Sequence, residues 1–538
     1  MKICILDGYV DEPSCLGVPP FISPYPRYIY GMLKSFKLKS KYITIDQLRS
    51  NPNLFNEINE FDLLIMIAGA IVPGKYLSAR PLSLKEIRFL PEKPEKLIVG
   101  TIALELEDEL KDFVVFDFPF EKELHSYLSN LLNRSSAFSL DRFSVSGAEV
   151  IKEHPDFPHI VCEIETYRGC YWRKCSFCIE RIHGNPVMRN PEWVIKEIET
   201  LYGYGARYFR IGRQTDFLTY MADFSREIPR PNPEFMLDFH REIWRRCPGI
   251  KTLHLDNINP RTIVEYPEEC REIIKTIVLY QTPGNVAAMG LESADESVIV
   301  KNNLAAMPDD VMFAVKVINE YGRNPGFNGL PYFLPGINFV TGLRGETKET
   351  YEKNFEFLRE ILDRGLLLRR TNIRQVKILK GTPMENFQVK KREKHFRAFK
   401  KKVREEIDRE ILKRIAPAGR KITDLRCEVH KGRITFARQL ATYPLLVGVV
   451  GYCRKNHFIE VRVVGHGERS ITAVEYPLNL NTANLQQIEC IPGIGRKTAL
   501  KIISERPFSG LDDLEGIIKP ELKIFFSSRG SIGPIPET

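Results

Sequence analysis

Three cysteines fall within one nine-residue stretch, at Cys170, Cys175 and Cys178. Thiolates this close together repel one another unless a cation holds them, so the spacing predicts a metal site. One chemistry is a [4Fe–4S] cluster in which the cysteines bind three irons and leave the fourth iron open. The other is a closed structural zinc site, which His183 would complete as C-x4-C-x2-C-x4-H. The spacing alone leaves both chemistries open.

The elements around this cysteine cluster alternate between strand and helix patterns. Apolar runs predict strands, and amphipathic stretches between them predict helices such as Pro191–Tyr202 and Glu349–Asp363. Such a series predicts a partial (β/α) barrel, whose reactive residues lie at the carboxyl ends of the strands. The cysteine cluster directly follows the first strand. The six predicted strands are Val161–Ile164, Tyr208–Ile211, Thr252–Leu255, Ala287–Leu291, Gly336–Val340 and Arg374–Leu379.

Further motifs follow the cysteine cluster in a fixed order. Gly212–Asp216 comes after the second strand, Gly290–Asp295 after the fourth, and Gly342–Thr347 after the fifth. With the cysteines, they resemble the radical S-adenosylmethionine superfamily, with one residue more in the first cysteine gap than its commonest spacing. The motif Gly212–Asp216 is most similar to that of tRNA methylthiotransferases. Other similar stretches are Phe177, the helix Pro191–Ile198 and the G-T-P motif at Gly381–Met384.

The resemblance implies an enzyme with a [4Fe–4S] cluster on Cys170, Cys175 and Cys178. In this family an electron from the cluster breaks the sulfur–C5′ bond of S-adenosylmethionine, and the resulting 5′-deoxyadenosyl radical takes a hydrogen atom from the substrate. A reductase such as ferredoxin or flavodoxin is the implied electron donor. The implied cofactor-binding residues are Phe177 and Gly212, with Gln214 and Asp216 for the methionine amine, Asp256, Asn257, Glu292 and Ser293 for the ribose, and Thr341 and Gly342 for the adenine.

The first 120 residues predict a separate α/β domain of doubly wound type. The pattern has buried strands at Ile3–Leu6, Leu63–Ala68 and Leu97–Ile102, with helices near Tyr28–Phe36 and Leu84–Leu90 between them. Such a domain precedes the radical barrel in several kinds of enzyme. Residues 121–160 are predicted to connect the two.

The sequence of this first domain is compatible with more than one cofactor state. Methylthiotransferases carry a second cluster on three cysteines there, whereas only Cys4 and Cys15 precede Cys162 in this chain. The stretches Leu16–Pro20 and Tyr25–Tyr28 loosely resemble the first loop of cobalamin-binding radical enzymes. A scaffold domain without a cofactor is the interpretation that we favour, and cobalamin is the alternative.

The net charge of the chain is concentrated in one segment. The whole chain has 78 Lys and Arg against 69 Asp and Glu, a surplus of 9, and Lys390–Lys421 alone has 14 against 5, the same surplus. A basic stretch of this kind attracts polyanions such as RNA. A solvated helix is the alternative, since one face has apolar residues at helical spacing: Phe396, Phe399, Val403, Ile407, Ile411 and Ile415.

The C-terminal residues predict two small modules. Alternating β-type runs at Arg433–Ala437, Leu445–Val450 and Phe458–Val464 predict a small β-barrel, which faintly resembles a TRAM-type RNA-binding domain. The run 480–508 resembles a helix-hairpin-helix. Amides of such a hairpin can hold a phosphate at a helix N-terminus. The implied nucleic-acid-binding residues are Gly493, Gly495, Arg496 and Lys497.

Together these features predict a cytoplasmic radical enzyme of the methyltransferase or methylthiotransferase kind that acts on RNA, with tRNA as the leading substrate. No apolar run reaches the roughly 18 residues of a membrane span, and 11 scattered cysteines favour a reducing compartment. The alternatives are a protein or small-metabolite substrate, or a zinc-dependent nucleic-acid-binding protein without catalysis. The predicted domains are 1–120, 121–160, the radical core 161–385, the basic helix 386–423, the β-barrel 424–478 and the helix-hairpin-helix 479–538.

Overall fold

The computed structural model describes residues 1–9, 20–69, 80–102, 113–116, 119–390 and 392–527. Cys15 and residues 16–19 of the loop that resembles cobalamin-binding enzymes lie outside these ranges.

A parallel five-stranded sheet forms the N-terminal part, as the sequence predicts. Its strands have the order β3-β1-β4-β5-β6. Strands β1 and β4 are buried along their whole length, which explains their uninterrupted apolar sequences. The strands are β1 (Ile3–Asp7), β2 (Phe21–Ile22), β3 (Ser40–Thr44), β4 (Leu63–Ile67), β5 (Glu95–Val99) and β6 (Val114–Phe116), and the helices are α1 (Pro24–Ser35), α2 (Ile45–Ser50), α3 (Asn53–Ile58) and α4 (Leu84–Arg88).

The predicted connection at 121–160 is helical and packs on this part of the chain. It contains α5 (Glu121–Leu132), α6 (Leu140–Ser146) and a 3-10 helix at Ala148–Glu153. Strand β2 does not join the first sheet. It pairs with the first strand of the second sheet through Phe21–Val161 and Ile22–Cys162, so the two α/β parts share an edge.

The second α/β part is a half-barrel of six parallel strands, β7, β10, β11, β12, β13 and β14, with the short β2 added at its edge. They form the sheets β2-β7-β10-β11 and β12-β13-β14, which an Asn257–Ala288 bridge links. Its strands are β7 (Val161–Glu165), β8 (Tyr167–Arg168), β9 (Val187–Met188), β10 (Tyr208–Gly212), β11 (Thr252–Leu255), β12 (Asn285–Glu292), β13 (Phe333–Thr341) and β14 (Arg370–Gln375), where β8 and β9 form a separate hairpin. Its helices are α7 (Pro191–Gly203), α8 (Pro233–Arg246), α9 (Pro260–Glu265), α10 (Pro267–Tyr280), α11 (Glu296–Asn302), α12 (Pro308–Gly322) and α13 (Lys348–Asp363).

The predicted boundaries of the sixth strand are wrong. The sequence predicts Arg374–Leu379, whereas β14 spans Arg370–Gln375. Arg370, Asn372 and Arg374 lie on one face of β14, which lines the interior of the half-barrel. This face of the strand is therefore polar in sequence. The apolar residues that suggested a strand come after it.

The basic segment is a helix with one buried face. It consists of α14 (Glu393–Val403), a π-helical turn at Arg404–Asp408 and α15 (Arg409–Ile415). Of the six residues on the predicted apolar face, Phe396 is half-buried, and Phe399, Val403, Ile407, Ile411 and Ile415 are buried. The packing alternative is therefore right for this face, and the lysines and arginines occupy the other faces.

A closed five-stranded barrel follows, in the order β15-β16-β17-β19-β18. The sequence predicts three of these strands. A final helical region packs on the barrel, where Ile488 and Ile502 share an apolar cluster with Val474. The elements are β15 (Lys421–Lys431), β16 (Ile434–Gln439), β17 (Leu446–Val450), β18 (Phe458–His466), β19 (Ser470–Glu475), β20 (Leu478–Asn479), α16 (Leu485–Glu489), α17 (Arg496–Ser504) and β21 (Phe526–Ser527).

The loop between β16 and β17 inserts into the half-barrel beside β11. Thr252 Oγ1 donates to the Leu440 carbonyl at 2.8 Å, and Tyr443 Oη donates to Asp256 Oδ1 at 2.7 Å. The small barrel therefore completes the wall of the half-barrel. None of the helices described is long and apolar enough to cross a membrane.

Candidate functional site

The cysteine cluster occupies the loop at the carboxyl end of β7, the first strand of the half-barrel. Ser176, between the second and third cysteines, fixes this loop from two sides. Its amide donates to the Asn302 carbonyl at 2.9 Å, and its hydroxyl donates to Asn302 Oδ1 at 2.7 Å. The Met384 amide donates to the Ser176 carbonyl at 3.2 Å. The end of α11 and the predicted motif Gly381–Met384 therefore hold the loop in place.

The three thiol groups lie close enough to interact electrostatically. Burial raises the pKa of Cys170, Cys175 and Cys178, and the charges of neighbouring cysteines raise the pKa of Cys175 and Cys178 further. Clustered, desolvated thiols of this kind are stable as thiolates only when they bind a metal.

A zinc ion and an iron–sulfur cluster place different demands on the three thiols. Within the described ranges, no three His, Cys, Asp or Glu side chains converge closely enough to hold a single metal ion. A zinc site needs such convergence, whereas an iron–sulfur cluster takes each thiolate on a different iron. The side chain of His183, the predicted fourth zinc ligand, is outside the description.

Glu292 faces this loop from the carboxyl end of β12. Its charge is among the causes that raise the pKa of Cys175, after burial and Cys170. The backbone of Glu292 is left-handed, with φ 63°, a conformation that costs about 1–3 kcal/mol for such a residue. Its Oε2 is shielded from solvent and has no hydrogen-bond partner in the described part of the chain. Burial raises the pKa of Glu292 to about 8, opposed by the charge of Arg374.

Two glycines of the predicted motifs are needed for close approach. A Cβ on Gly290 would lie 2.5 Å from Oε1 of Glu292, and a Cβ on Gly212 would lie 2.5 Å from Oε1 of Glu163. Any larger residue at either position would displace a carboxyl group from the interior.

The side chains of Gln214 and Asp216 have partners within the protein. Gln214 Nε2 donates to the Ile211 carbonyl at 3.0 Å. Asp216 accepts from the Leu218 amide at 3.1 Å and from Thr262 Oγ1 at 2.5 Å. Burial raises the pKa of Asp216 to about 7, although these bonds oppose the shift. Both side chains fix the loop after β10, so their predicted contact with the methionine amine stays a prediction.

The predicted ribose residues are separated into two groups. Glu292 ends β12 and Ser293 follows it, and Ser293 Oγ accepts from the Asp295 amide at 3.1 Å. Asp256 instead forms an ion pair with Arg210 and accepts from Tyr443. Asn257 Nδ2 donates to the Gln214 carbonyl at 3.3 Å.

The remaining predicted cofactor residues lie beside the cysteine loop. Phe177 packs in an apolar cluster with Leu343 and Met384. Gly342 adopts φ 89° and donates its amide to Glu346 Oε2 at 2.6 Å, and Thr341 Oγ1 donates to the Arg374 carbonyl at 3.3 Å. These contacts bring the fifth-strand motif to the same end of the half-barrel as the cysteines.

A charged network inside the half-barrel escaped the sequence analysis. Arg210 forms ion pairs with Glu163, at 2.6 Å, and with Asp256, and all three side chains are buried. The available signal was the charged residue in the middle of each buried strand, Glu163 in β7 and Arg210 in β10. Tyr443, from a remote part of the sequence, gave no signal.

The predicted hairpin at the C-terminus forms a turn between α16 and α17. Gly493 has φ 94°, and Gly495 immediately precedes α17. Lys497 is exposed, and exposed Arg496 lies 3.4 Å from Glu489 in an ion pair. The arrangement is compatible with the predicted phosphate contact, which remains a prediction.

No family model matches the chain. An uncharacterised protein of Archaeoglobus fulgidus is 56% identical over an alignment of 539 residues, which covers 98% of this chain and 100% of the relative. An uncharacterised protein of Methanocaldococcus jannaschii is 44% identical over 504 residues, 88% of this chain and 92% of the relative. The chain belongs to the family of these two archaeal proteins. Its members extend over nearly the whole chain, so the family includes the half-barrel and the small barrel.

Similar solved structures are those of radical S-adenosylmethionine enzymes. The apo structure of the cobalamin-dependent enzyme OxsB matches with a TM-score of 0.51 and 12% identity, over 75% of this chain and 61% of that one. The methyltransferase TsrM from Kitasatospora setae matches with a TM-score of 0.49 and 14% identity, over 71% and 74%. The archaeal family therefore shares the fold of OxsB.

Proposed function

We propose that this protein is a radical S-adenosylmethionine enzyme whose Cys170, Cys175 and Cys178 hold a [4Fe–4S] cluster. The observation that carries the proposal is the position of three clustered thiols at the carboxyl end of the first half-barrel strand, opposite the unpartnered carboxyl oxygen of Glu292. The fold shared with OxsB supports it. Spectroscopy and cofactor cleavage after anaerobic reconstitution test it.

The side chains of the candidate site fit both an iron–sulfur cluster and S-adenosylmethionine. Three thiolates bind three irons and leave an open position. The shielded Oε2 of Glu292 is an acceptor without a donor, and a hydroxyl-bearing ligand such as a ribose supplies one. Gly290 and Gly212 leave space beside two interior carboxyl groups.

When bound, the cluster supplies the electron that splits S-adenosylmethionine into methionine and a 5′-deoxyadenosyl radical. The residues of this chain bind and orient the reactants. Glu292 would accept from the hydroxyl groups of the cofactor, and the bonds of Ser176 to Asn302 keep the cysteine loop at a fixed position. The ion pairs of Arg210 with Glu163 and Asp256 fill part of the interior of the half-barrel. Such fixed placement would orient the substrate towards the cofactor.

Cobalamin is the candidate cofactor of the N-terminal domain. The order β3-β1-β4-β5-β6 is the doubly wound order in which ligands bind beyond the carboxyl ends of the first and third strands, here β1 and β4. The fold shared with OxsB, a cobalamin-dependent enzyme, supports cobalamin over a scaffold domain without a cofactor. The visible spectrum of protein expressed with added cobalamin tests it, because a bound corrinoid absorbs after removal of the excess.

We further propose RNA, with tRNA as the leading case, as the substrate, and carbon–hydrogen functionalisation of the methyltransferase or methylthiotransferase kind as the reaction. The exposed cations of α14 and the turn at Gly493–Gly495 support an RNA contact. The helix-hairpin-helix and the TRAM-like barrel would position the RNA, and a ferredoxin or flavodoxin would supply electrons. Mass spectrometry of tRNA nucleosides from a strain that lacks the gene tests the substrate. A protein or small-metabolite substrate would leave those nucleosides unchanged.

A further inference from the structure

A cavity of about 200 Å³ lies where the last strand of the half-barrel meets the basic helix and the small barrel. It is outside the cofactor end of the half-barrel and none of the motifs described above lines it. Its walls carry four arginines, one acid and one tyrosine: Arg369, Arg370, Arg438, Arg469, Asp408 and Tyr443.

The positive charges of this cavity are not balanced inside it. Arg438 is neutralised by Glu428, at 2.8 Å. Asp408 is the one carboxyl group among the lining residues described, and its charge interacts with Arg469 and, more weakly, with Arg370. The charge of Asp256 also acts on Arg370. Within the described part of the chain, neither Arg369 nor Arg370 forms an ion pair with a carboxylate. Burial and the charges of neighbouring arginines lower the pKa of both guanidinium groups.

Contacts with Tyr443 hold Arg369 and Arg370 in place although their positive charges repel each other. Arg369 Nη2 donates to the Tyr443 carbonyl at 2.7 Å, and the Arg370 guanidinium lies 4.1 Å from the centre of the Tyr443 ring. Nε of each arginine is shielded from solvent and has no hydrogen-bond partner among the described residues. A buried cation with unused donors is costly unless a ligand supplies the missing acceptors.

Guanidinium donors at fixed positions match the oxygens of a phosphate better than any neutral ligand. We propose that this cavity binds a phosphate group of the substrate. Resting on the proposed function, this inference specifies the substrate as a phosphate ester.

The position of the cavity is consistent with substrate binding. Arg370 begins β14, and Arg374, four residues further, interacts with Glu292 at the cofactor end. At about 3.3 Å per residue, the two positions are roughly 13 Å apart. A phosphate held by Arg370 would therefore lie on the same strand as Arg374, which interacts with Glu292.

Calorimetric titration of the full-length protein with inorganic phosphate, without reductant or S-adenosylmethionine, tests the proposal. We expect one phosphate per chain and at least tenfold weaker binding in Arg370→Gln and in Arg469→Gln. Lys394→Gln removes one exposed charge from the adjacent helix and should bind phosphate as the wild type does. Arg370→Gln should melt no lower than the wild type, because the substitution removes a desolvated cation that forms no ion pair among the described residues.

Absence of phosphate binding, or equal binding by wild type and both arginine variants, would overturn the proposal. A nucleoside 5′-monophosphate and an RNA oligonucleotide without terminal phosphates identify the source of the phosphate. Binding of the first alone indicates a terminal phosphate, and binding of the second indicates a backbone phosphate. Because these titrations need no cluster, their failure is distinct from a failure to release 5′-deoxyadenosine, which would refute the proposed function.

Discussion

The carboxyl group of Glu292 lies directly over the α-carbon of Gly290. A methyl group on Gly290 would come within 2.5 Å of Oε1, a distance that non-bonded atoms do not reach. The left-handed backbone of Glu292, with φ 63°, turns its side chain back over the strand and towards the cysteine loop. The strain, and an oxygen shielded from solvent without a partner among the described residues, support the proposed binding role of Glu292.

Glu292→Gln should separate function from stability. The substitution removes a carboxyl group whose Oε2 has no partner in the described residues, so the melting temperature should stay equal or rise. Affinity for S-adenosylmethionine and release of 5′-deoxyadenosine should both fall at least tenfold, while RNA binding stays unchanged. Glu296→Gln, an exposed neighbour in α11, is the matched control. Wild-type cofactor affinity in Glu292→Gln would refute its role.

Gly290→Ala should reproduce the loss of cofactor binding without altering any polar group. The added methyl group displaces the Glu292 carboxyl, so we expect at least tenfold weaker binding of S-adenosylmethionine in equilibrium dialysis. Gly203→Ala is the control, because its Cβ would meet no atom within 4 Å. If Gly290→Ala binds as tightly as Gly203→Ala, the carboxyl group does not contact the cofactor.

The proposed RNA contact predicts a salt-dependent effect at the C-terminal turn. Lys497→Glu should weaken binding of unrelated RNA sequences by similar factors, about tenfold at low salt, because a phosphate contact carries no base information. The slope of log affinity against log salt should also become shallower. Lys122→Glu, an exposed lysine of α5, should have neither effect. A point substitution is preferable to truncation after Pro477, since α16 and α17 cover Val474 of the small barrel.

The buried side chain of His240 should make the protein less stable at acid pH. Its Nδ1 lies 2.6 Å from the Met236 carbonyl and its Nε2 lies 2.9 Å from Gln281 Nε2, so the bonds fit a neutral ring. Burial lowers the pKa of His240 to about 4, and in the unfolded chain the pKa is about 6.5. The unfolded chain therefore takes up the proton first as the pH falls, which destabilises the fold below pH 6.5.

Between pH 7 and pH 5 this single histidine should lower the free energy of unfolding by about 2 kcal/mol. Denaturant midpoints of His240→Leu should show a smaller loss over this interval than the wild type. His457→Leu replaces an exposed histidine and should keep the wild-type loss. Equal losses in all three proteins would mean that His240 is protonated in the fold.

Strands with buried faces were predictable because their sequences are apolar throughout. Thr252–Leu255 in β11 has the predicted bounds, and β7 differs only by one residue at its end. The edge strand β14 was misplaced, since Arg370, Asn372 and Arg374 face a polar interior that hydrophobicity cannot reveal. A strand that lines a polar interior looks like a loop in the sequence.

The position of the candidate site in the fold was predictable from its motifs, but the contacts of its residues were not. The cysteine spacing and the glycine motifs located the end of the half-barrel that carries Glu292. Local sequence could not show that Asp216 accepts a hydrogen bond from Thr262. Nor could it show that Asp256 accepts one from Tyr443, 187 positions away. Such partners come together only through the tertiary fold.

Metal content and cofactor cleavage of the anaerobically reconstituted protein test the central claim most directly. The protein should bind about four irons and four labile sulfides, absorb broadly in the visible region and release 5′-deoxyadenosine from S-adenosylmethionine when dithionite is added. Cys178→Ala, compared with Cys270→Ala, a buried cysteine outside the cluster, should lose the release completely. Stoichiometric zinc without iron, or equal release by Cys178→Ala and the wild type, would contradict the account.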